Sequence, residues 1–274
     1  MALMTIEYRV VNDPDELKEI VDLEAVVWSM PLSEAVPHNM LFAIIHSGGV
    51  VIRADSDGEL VGFALGLVAL RGEEHILWSH MAGVVPTRQG QGIGFELKQA
   101  QRRWALEHGF KIIAWTYDPL QRGNANFNLH LLKTITNSYH INFYGEMADG
   151  INKGMPSDRL EVTWNLLDES VIAAAKGAAP KPTVDAYPHE AFLLYSDDAG
   201  SPHVGLPSAW TNRWHFVEIP FQLAALKRDN IERAKVWQLA LREAMGSAFA
   251  NGYQAVDFAD DGKRCWYVLE KPNP

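Results

Sequence analysis

The sequence predicts an α/β protein with a mixed (α+β) sheet in residues 1–167 and a smaller α/β extension in residues 189–274. Residues 4 to about 167 alternate between apolar runs of strand length and amphipathic helical stretches. Within them, a glycine-rich turn joins a strand to a strong helix. A strand, a proline, a helix and a strand then recur in the same order near the C-terminus. The predicted fold class rests on these three observations.

The first elements follow from local signals. Ile6–Val11 is predicted as an edge strand, and the proline and aspartates of residues 13–15 start the helix that follows. Gly49–Ala54 and Glu59–Ala69 are apolar runs on either side of the turn residues Asp55–Gly58. We therefore expect a β-hairpin there.

A strand, helix and strand come next. His75–Val85 reads as a strand that Pro86 ends. The apolar positions of the next helix step by four, three and four residues, as one buried helical face requires: Ile93, Leu97, Ala100 and Trp104. Gly109 stands where a helix-ending glycine belongs, before the predicted strand Lys111–Tyr117. Leu160–Leu166 is expected to be the last strand of this domain.

The chain changes character after residue 167. Residues 168–188 are rich in Ala and Pro and are predicted to be a linker or exposed crossover. Phe216–Ile219 is predicted as a strand, and Ala255–Phe258 and Cys265–Leu269 as two more. A helix lies between them, with apolar positions Ile231, Ala234, Trp237, Leu241, Met245 and Phe249. The recurring order fits either a partial duplication or ordinary βαβ units.

The composition excludes several classes of protein. The chain has 274 residues, and its 47% hydrophobic and 21% charged fractions exclude wholesale disorder. Its formal net charge of -10 argues against a nucleic-acid partner. The single cysteine, Cys265, cannot form an internal disulfide, which fits a reducing compartment. We see no secretory signal and no apolar run near the ~20 residues that cross a bilayer. A cytoplasmic protein without a membrane partner is expected.

The turn within residues 84–94 predicts an anion site. Glycines at 90, 92 and 94 let backbone N–H groups approach a ligand, and the helix start adds unpaired donors and a positive dipole end. The spacing is not that of a Walker loop or of a dinucleotide fingerprint. A surface turn that binds nothing is the less favoured alternative, because three glycines opening a helix are costly.

The pattern Gln89-x-x-Gly92-x-Gly94, behind a strand that ends Val-x-Pro, resembles the acyl-CoA-binding motif of the GNAT N-acetyltransferase superfamily. The resemblance covers roughly residues 4–167 and implies a GNAT-like acyltransferase fold with a V-shaped cleft between splayed strands. It implies that the backbone of Val84 and Val85 pairs with the pantetheine arm of CoA. It also implies that amides of the turn hold the pyrophosphate: Gln89, Gly90, Gln91, Gly92, Ile93 and Gly94.

The family also places an Asn at the head of the helix after the next strand, in contact with the cofactor. Asn124 and Asn128 are the candidates here, because their i,i+4 spacing predicts a common helical face. Helix capping by Asn124 or Asn126 is an equally good interpretation of either residue alone.

The sequence departs from the family pattern one turn later. The family often has a tyrosine about seven residues beyond the Asn, which protonates the leaving thiolate. This chain has other residues there: Leu131, Lys133 or Ile135. Tyr139 and Tyr144 are the nearest substitutes for that acid.

Acyl transfer to an amine also requires a base. Strand alternation places His80 on one face with Trp78 and Ala82. His80 lies nine residues before Gln89, which resembles the position of a histidine used in serotonin N-acetyltransferase-like members. Its unperturbed pKa of ~6.5 suits a base at neutral pH. A histidine without catalytic duty remains an open alternative, and the other candidate bases are Glu73 and Glu74.

The sequence contains no familiar metal motif and no G-x-S-x-G elbow. Arg159 fits either an acceptor-carboxylate contact or a routine charge at a strand edge.

These residues predict an acyl-CoA-dependent N-acyltransferase that uses acetyl-CoA, or another acyl-CoA such as succinyl-CoA, as co-substrate and needs no metal. The acceptor is expected to be the amine of a small molecule or amino acid, and a homodimer is an open option. The alternative is a GNAT-like regulatory module that binds CoA without turnover. The extension could close the acceptor cleft, form a dimer interface or be a degenerate GNAT-like half.

Overall fold

The computed structural model describes residues 5–145, 154–177 and 180–272, which form two compact units. The first unit runs to Trp115 and includes Asn165–Leu167, and the second contains the other described residues from Thr116 onward. No helix of the described ranges is both long and apolar enough to pass through a membrane.

The first unit is a sheet with three helices. Its strands lie in the order β1-β2-β3-β4-β5, and all neighbours are antiparallel except β4 and β5, which are parallel. The last strand, β5, ends in the second unit. In chain order the elements are β1 (Ile6–Val10), α1 (Glu16–Trp28), α2 (His38–His46), β2 (Val50–Ser56), β3 (Glu59–Arg71), β4 (Glu74–Val84), α3 (Ile93–Glu107) and β5 (Ile112–Tyr117).

One face of α1 closes the core of this unit. Leu17, Ile20 and Leu23 recur every three residues and are buried with Phe63 and Leu65 of β3 in one cluster. The helix ends at Ser29, which adopts a left-handed conformation. The sequence periodicity therefore reports which face of the helix meets the sheet.

The second unit contains the remaining strands. Its sheet has the order β7-β6-β11-β12-β10-β8-β9, in which only β10 and β8 pair in parallel. Its elements are α4 (Arg122–Ala125), a π-helix (Asn126–Leu131), β6 (Ile135–His140), β7 (Arg159–Asn165), α5 (Glu169–Ala174), β8 (Phe192–Ser196), β9 (Pro202–Val204), β10 (Trp214–Ile219), α6 (Leu223–Asp229), α7 (Ile231–Ala250), β11 (Gln254–Asp260) and β12 (Cys265–Glu270).

Every helix and strand predicted from the sequence is present, with bounds that differ by a few residues. Several others were not predicted because they are short, or because polar residues interrupt their pattern, as in β6: α2, β6, α5, β8, β9 and α6. Within the predicted linker 168–188, α5 forms a helix that Asp168 caps by accepting a bond from the Ser170 N–H. Residues 178 and 179 lie outside the described ranges, and the predicted boundaries at 167 and 188 stay a prediction.

The two halves share an order of elements but differ in topology. In the first half, α3 connects β4 and β5, and these two strands pair directly with each other through Leu77–Ile113 and Trp78–Ala114. In the second, β12 lies between β10 and β11, the strands that α7 connects. The shared order therefore does not extend to the strand pairing.

A buried carboxylate ties β6, β7 and α7 together in the second unit. Asp158 is fully buried and accepts a hydrogen bond of 2.8 Å from the Tyr139 hydroxyl. Arg242 of α7 donates from Nε and Nη2 at 3.1 and 3.0 Å, and the Asn142 N–H donates at 3.0 Å. A buried charge needs such partners because water cannot solvate it.

Removal of the cation should therefore destabilise the protein strongly. We expect Arg242→Met to lower the free energy of unfolding by about 3 kcal/mol, since it leaves a buried carboxylate without its counter-ion. Urea unfolding measures this. The control on the same helix is Lys235→Met, whose ion pair with Glu232 is largely exposed and which should cost less than about 1 kcal/mol. Equal, small losses from both variants would contradict the structural role of Asp158.

Candidate functional site

The connection between β4 and α3 has a backbone that favours glycine at two positions. A single 3₁₀ turn spans Pro86–Arg88, and Gly90 and Gly92 then adopt φ angles of 76° and 83°. L-residues with side chains rarely adopt such angles. Gly92 precedes the first residue of α3, so the spacing of the glycines positions the start of this helix.

The start of α3 has backbone N–H groups that precede the hydrogen bonds of the helix, beside two glycines with open space around them. The first hydrogen bond of the helix runs from the Glu96 N–H to the Gly92 carbonyl at 3.1 Å, so the N–H groups of residues 93–95 precede it. A Cβ placed on Gly90 or Gly92 would meet no atom within 4 Å. Donors with free space before them, at the positive end of a helix, suit an anion such as a pyrophosphate.

The Gln89 side chain braces the loop. Its Nε2 donates to the carbonyl of Val84 at 3.1 Å, and Gln91 Nε2 donates to the Thr87 carbonyl at 3.4 Å. Gln89 therefore links the loop to the end of β4 through its side chain, and its backbone remains the part available to a ligand.

One edge of β4 is open beside this loop. The pairing of β4 with β5 consists of Leu77–Ile113 and Trp78–Ala114, whereas its pairing with β3 continues to Val84. The strands separate after Trp78, as the resemblance to the GNAT fold implied. Among the described residues, the backbone of β4 from Ser79 to Val84 thus has a strand partner on one side only.

The backbone groups of Val84 and Val85 differ in availability. The Val85 N–H donates to the Val61 carbonyl and the Val85 carbonyl accepts from the Arg88 N–H, both at 2.9 Å. Successive residues of a strand direct these groups to opposite edges, so those of Val84 lie at the open edge. Of the two residues predicted to pair with pantetheine, Val84 alone keeps its N–H for that purpose.

His80 sits at a β-bulge. Leu65 pairs with Met81 and Gly66 with Ser79, so His80 is an extra residue in β4. The bulge interrupts the alternation that placed His80 with Trp78 and Ala82, although His80 and Ala82 are both exposed. Surrounding atoms desolvate the ring in part, which lowers the pKa of His80 below its ordinary value of 6.5. The lowered pKa favours the neutral imidazole, the form a base needs.

The alternative bases lie at the other end of the strand. Glu73 and Glu74 are exposed at the start of β4, and Glu74 pairs with Arg71 in the hairpin. Six residues separate Glu74 from His80, roughly 20 Å along an extended chain. These carboxylates and His80 therefore cannot serve the same reacting atoms.

Asn124 and Asn128 differ in exposure, and their shared helical face stays a prediction. Asn124 is exposed on α4, whereas Asn128 is only 3% exposed. Asn128 lies in the π-helix that begins at Asn126. Asn124 remains accessible to a ligand, and Asn128 belongs to the interior of the second unit.

The two candidate tyrosines differ in the same way. Burial and the neighbouring Asp158 raise the pKa of Tyr139, and its hydroxyl is already donated to that carboxylate. Tyr144 is 47% exposed, and its hydroxyl lies 3.3 Å from Thr116 Oγ1. The guanidinium of Arg159 lies 5.2 Å from the centre of the Tyr144 ring. Tyr144 is therefore the more accessible acid.

Arg159 is not a routine charge at a strand edge. It is buried, and its Nη1 donates to the Asp158 carbonyl at 2.8 Å.

Sequence analysis missed a polar contact behind the bulge. Lys98 Nζ of α3 donates to Ser79 Oγ at 2.8 Å, and Gln101 accepts a second bond from Lys98 at the same distance. One residue in the sequence could have indicated this contact. Gln101 is polar and lies four positions after Leu97, where the periodicity of the helix predicts an apolar side chain.

Across the described ranges, no group of three or more His, Cys, Asp or Glu side chains is arranged to hold a metal ion. The candidate site is instead a set of backbone donors and one open strand edge, with a histidine on that strand.

The comparisons with known proteins assign a family to this part of the chain. The model of the acetyltransferase (GNAT) family matches residues 16–128. No curated protein matches the chain.

Solved structures resemble it over about three fifths of its length. An N-acetyltransferase from Staphylococcus aureus Mu50 has 14% identity and a TM-score of 0.48, and the match covers 59% of this chain and 99% of the other. YncA of Salmonella typhimurium, solved with acetyl-CoA, has 17% identity and a TM-score of 0.47 over 60% and 95% of the two chains. The ribosomal-protein-S18-alanine N-acetyltransferase of Escherichia coli has 13% identity and a TM-score of 0.47 over 59% and 94%. At these values we base no argument on the likeness, and the assignment depends on the family match.

That match includes β4, the glycine loop and α3, and it ends within the π-helix. The chain therefore contains an acyltransferase domain of the GNAT acetyltransferase family, in residues 16–128.

Proposed function

We propose that this protein moves an acetyl group, or a larger acyl group such as succinyl, from CoA to the amine of a small molecule or amino acid by direct transfer. The observation that carries the proposal is the glycine loop at the start of α3, where Gly90 and Gly92 have open space around them and the open edge of β4 lies at the start of the loop. These features suit the two parts of acyl-CoA that must be fixed, the pyrophosphate and the pantetheine arm.

The backbone of the first unit would bind the donor. N–H groups between Gln89 and Gly94 hold the pyrophosphate, with the dipole of α3 aligned toward it. Val84 offers its N–H to the pantetheine arm or to the thioester carbonyl, where it stabilises the negative charge that develops on that oxygen. Asn124 is exposed, and its contact with the cofactor stays a prediction from the sequence.

The side chains would move the protons. His80, whose lowered pKa favours the neutral form, accepts the proton of the attacking amine directly or through water. A water molecule returns a proton to the thiolate, and a role of Tyr144 as that acid stays a prediction from the sequence. The acyl-CoA supplies the activated thioester, so this chemistry requires no metal.

The acceptor is small in this proposal because the chain carries a formal net charge of -10, which would repel an anionic polymer. Homodimer formation and a cytoplasmic location remain predictions from the sequence.

A second function is favoured by one observation. The Tyr139 hydroxyl donates to Asp158, and its raised pKa makes it a poor acid. A module that binds CoA without turnover would not need an acid at this position. Such a module would bind CoA in the same loop and show no transfer to any amine.

The loop can be tested with a matched pair of variants. Gly92 and Gly109 stand at opposite ends of α3, both with a φ of 83°, and a Cβ added to either would meet no atom within 4 Å. Gly92→Glu should weaken the binding of acetyl-CoA at least tenfold, because the carboxylate would face the pyrophosphate. Isothermal calorimetry measures the dissociation constant.

Gly109→Glu introduces the same charge and the same backbone strain away from the loop, and it should leave the dissociation constant unchanged. If both variants bind acetyl-CoA like the wild-type protein, the proposed CoA site is wrong. If both lose binding, general destabilisation explains the loss.

The base can be tested through the pH dependence of turnover. In the wild-type protein, kcat/KM should fall as the pH drops through the lowered pKa of His80, so the acidic limb should lie below pH 6.5. His80→Gln should lower kcat by about 10²-fold and remove that limb. The rates are measured with acetyl-CoA and a panel of amines.

His75→Gln is the control, since His75 lies exposed on the same strand and should keep both the rate and the limb. An unchanged limb in His80→Gln would remove His80 from the mechanism. Binding of CoA without transfer to any amine would favour the regulatory module.

A further inference from the structure

A buried lysine occupies the fork where two parallel strands separate. The last pair between β4 and β5 is Trp78–Ala114, and the next residue on each strand is Ser79 and Trp115. Lys98 of α3 contacts both: its Nζ is 2.8 Å from Ser79 Oγ and 3.6 Å from the centre of the Trp115 ring. One side chain thus meets both strands immediately beyond their last pair.

The same cluster lies against the β-bulge. Ser79 pairs with Gly66, and the register of β3 and β4 shifts directly after this pair, at His80. Gln101, which accepts a hydrogen bond from Lys98, lies over Gly66, where a Cβ would come within 3.1 Å of Gln101 Nε2. The polar cluster of Lys98, Gln101 and Ser79 therefore borders both the fork and the bulge.

Ordinary core packing does not account for a lysine at this position. Lys98 is 2% exposed, and burial lowers its pKa well below the ordinary value. An apolar side chain would fill this volume without the desolvation cost of an amine. An amine can, however, donate to a hydroxyl on one strand and rest on an aromatic ring on the other, which an apolar side chain cannot do.

We propose that Lys98 is a positioning residue, which holds β4 and β5 apart beyond Trp78 and thereby fixes the bulge that carries His80. The expected effect of Lys98 on turnover rests on the proposed function. The helix α3 would then contribute to the site in two ways. Its first residues would bind the pyrophosphate. Lys98, just over one turn later, would set the shape of the strand beside the thioester.

The test replaces Lys98 by a side chain of similar length without the amine. Lys98→Met should lower kcat about tenfold or more, because a displacement of ~1 Å at the reacting atoms is that costly. The dissociation constant of CoA should change less than threefold, since the glycine loop is intact. The pKa of His80, followed by NMR titration of its ring, should rise toward 6.5 as the bulge relaxes.

Ser79→Ala removes the same hydrogen bond from the strand side and should produce the same changes. The double variant should be no worse than either single variant, because both delete one interaction. Should Lys98→Met fail to fold, the milder Ser79→Ala decides the question alone. The control is Leu97→Ala, a buried neighbour on α3, which should lower the melting temperature without moving the pKa of His80.

An unchanged kcat and an unchanged pKa of His80 in folded Lys98→Met and Ser79→Ala would overturn the proposal. So would a pKa shift of the same size in Leu97→Ala. The NMR titration needs no turnover, so it still tests the role of Lys98 if the wild-type protein proves not to bind CoA, an outcome that would refute the proposed function alone.

Discussion

The parallel pairing of β4 with β5 ends at Trp78 and Ala114, and within the described residues the backbone of β4 beyond that point pairs with no strand on that side. Backbone N–H and C=O groups are rarely left unpaired away from water, so such an edge must face solvent or a ligand. The Val84 carbonyl is partly satisfied by Gln89, and the Val84 N–H remains available. Much of the proposed chemistry depends on this separation of two strands.

Helix α3 links the open edge to the anion site. It begins immediately after β4 and its loop, and it places its unpaired N–H groups at one end and Lys98 near the middle of its buried face. A protein of formal net charge -10 does not attract a polyanion over long distances. Local donors and the helix dipole must then supply the attraction, and both act within the first turn. An anion site built from backbone amides is therefore compatible with an acidic chain.

The sequence was sufficient for features that depend on local chemistry. The glycines at 90 and 92 require positive φ angles, so their spacing located the turn, and the apolar register located α1, α3 and α7. It was insufficient where one residue is inserted into a regular element. The bulge at His80 leaves the alternation of exposure almost unchanged, and no local pattern predicted the π-helix in which Asn128 is buried. The contact of Lys98 with Ser79 and Trp115 joins three elements that are distant in the chain, so no local pattern reports it.

The central claim is that backbone amides at the start of α3 and at the end of β4 bind acyl-CoA. A titration of the ¹⁵N-labelled protein with acetyl-CoA, followed by the ¹H–¹⁵N correlation spectrum, observes those amides directly. The account predicts that the largest shift changes fall on the amides of residues 90–95 and on Val84, and that Val85, bonded to Val61, changes less. Saturation with acetyl-CoA that leaves the amides of residues 90–95 unmoved would contradict it.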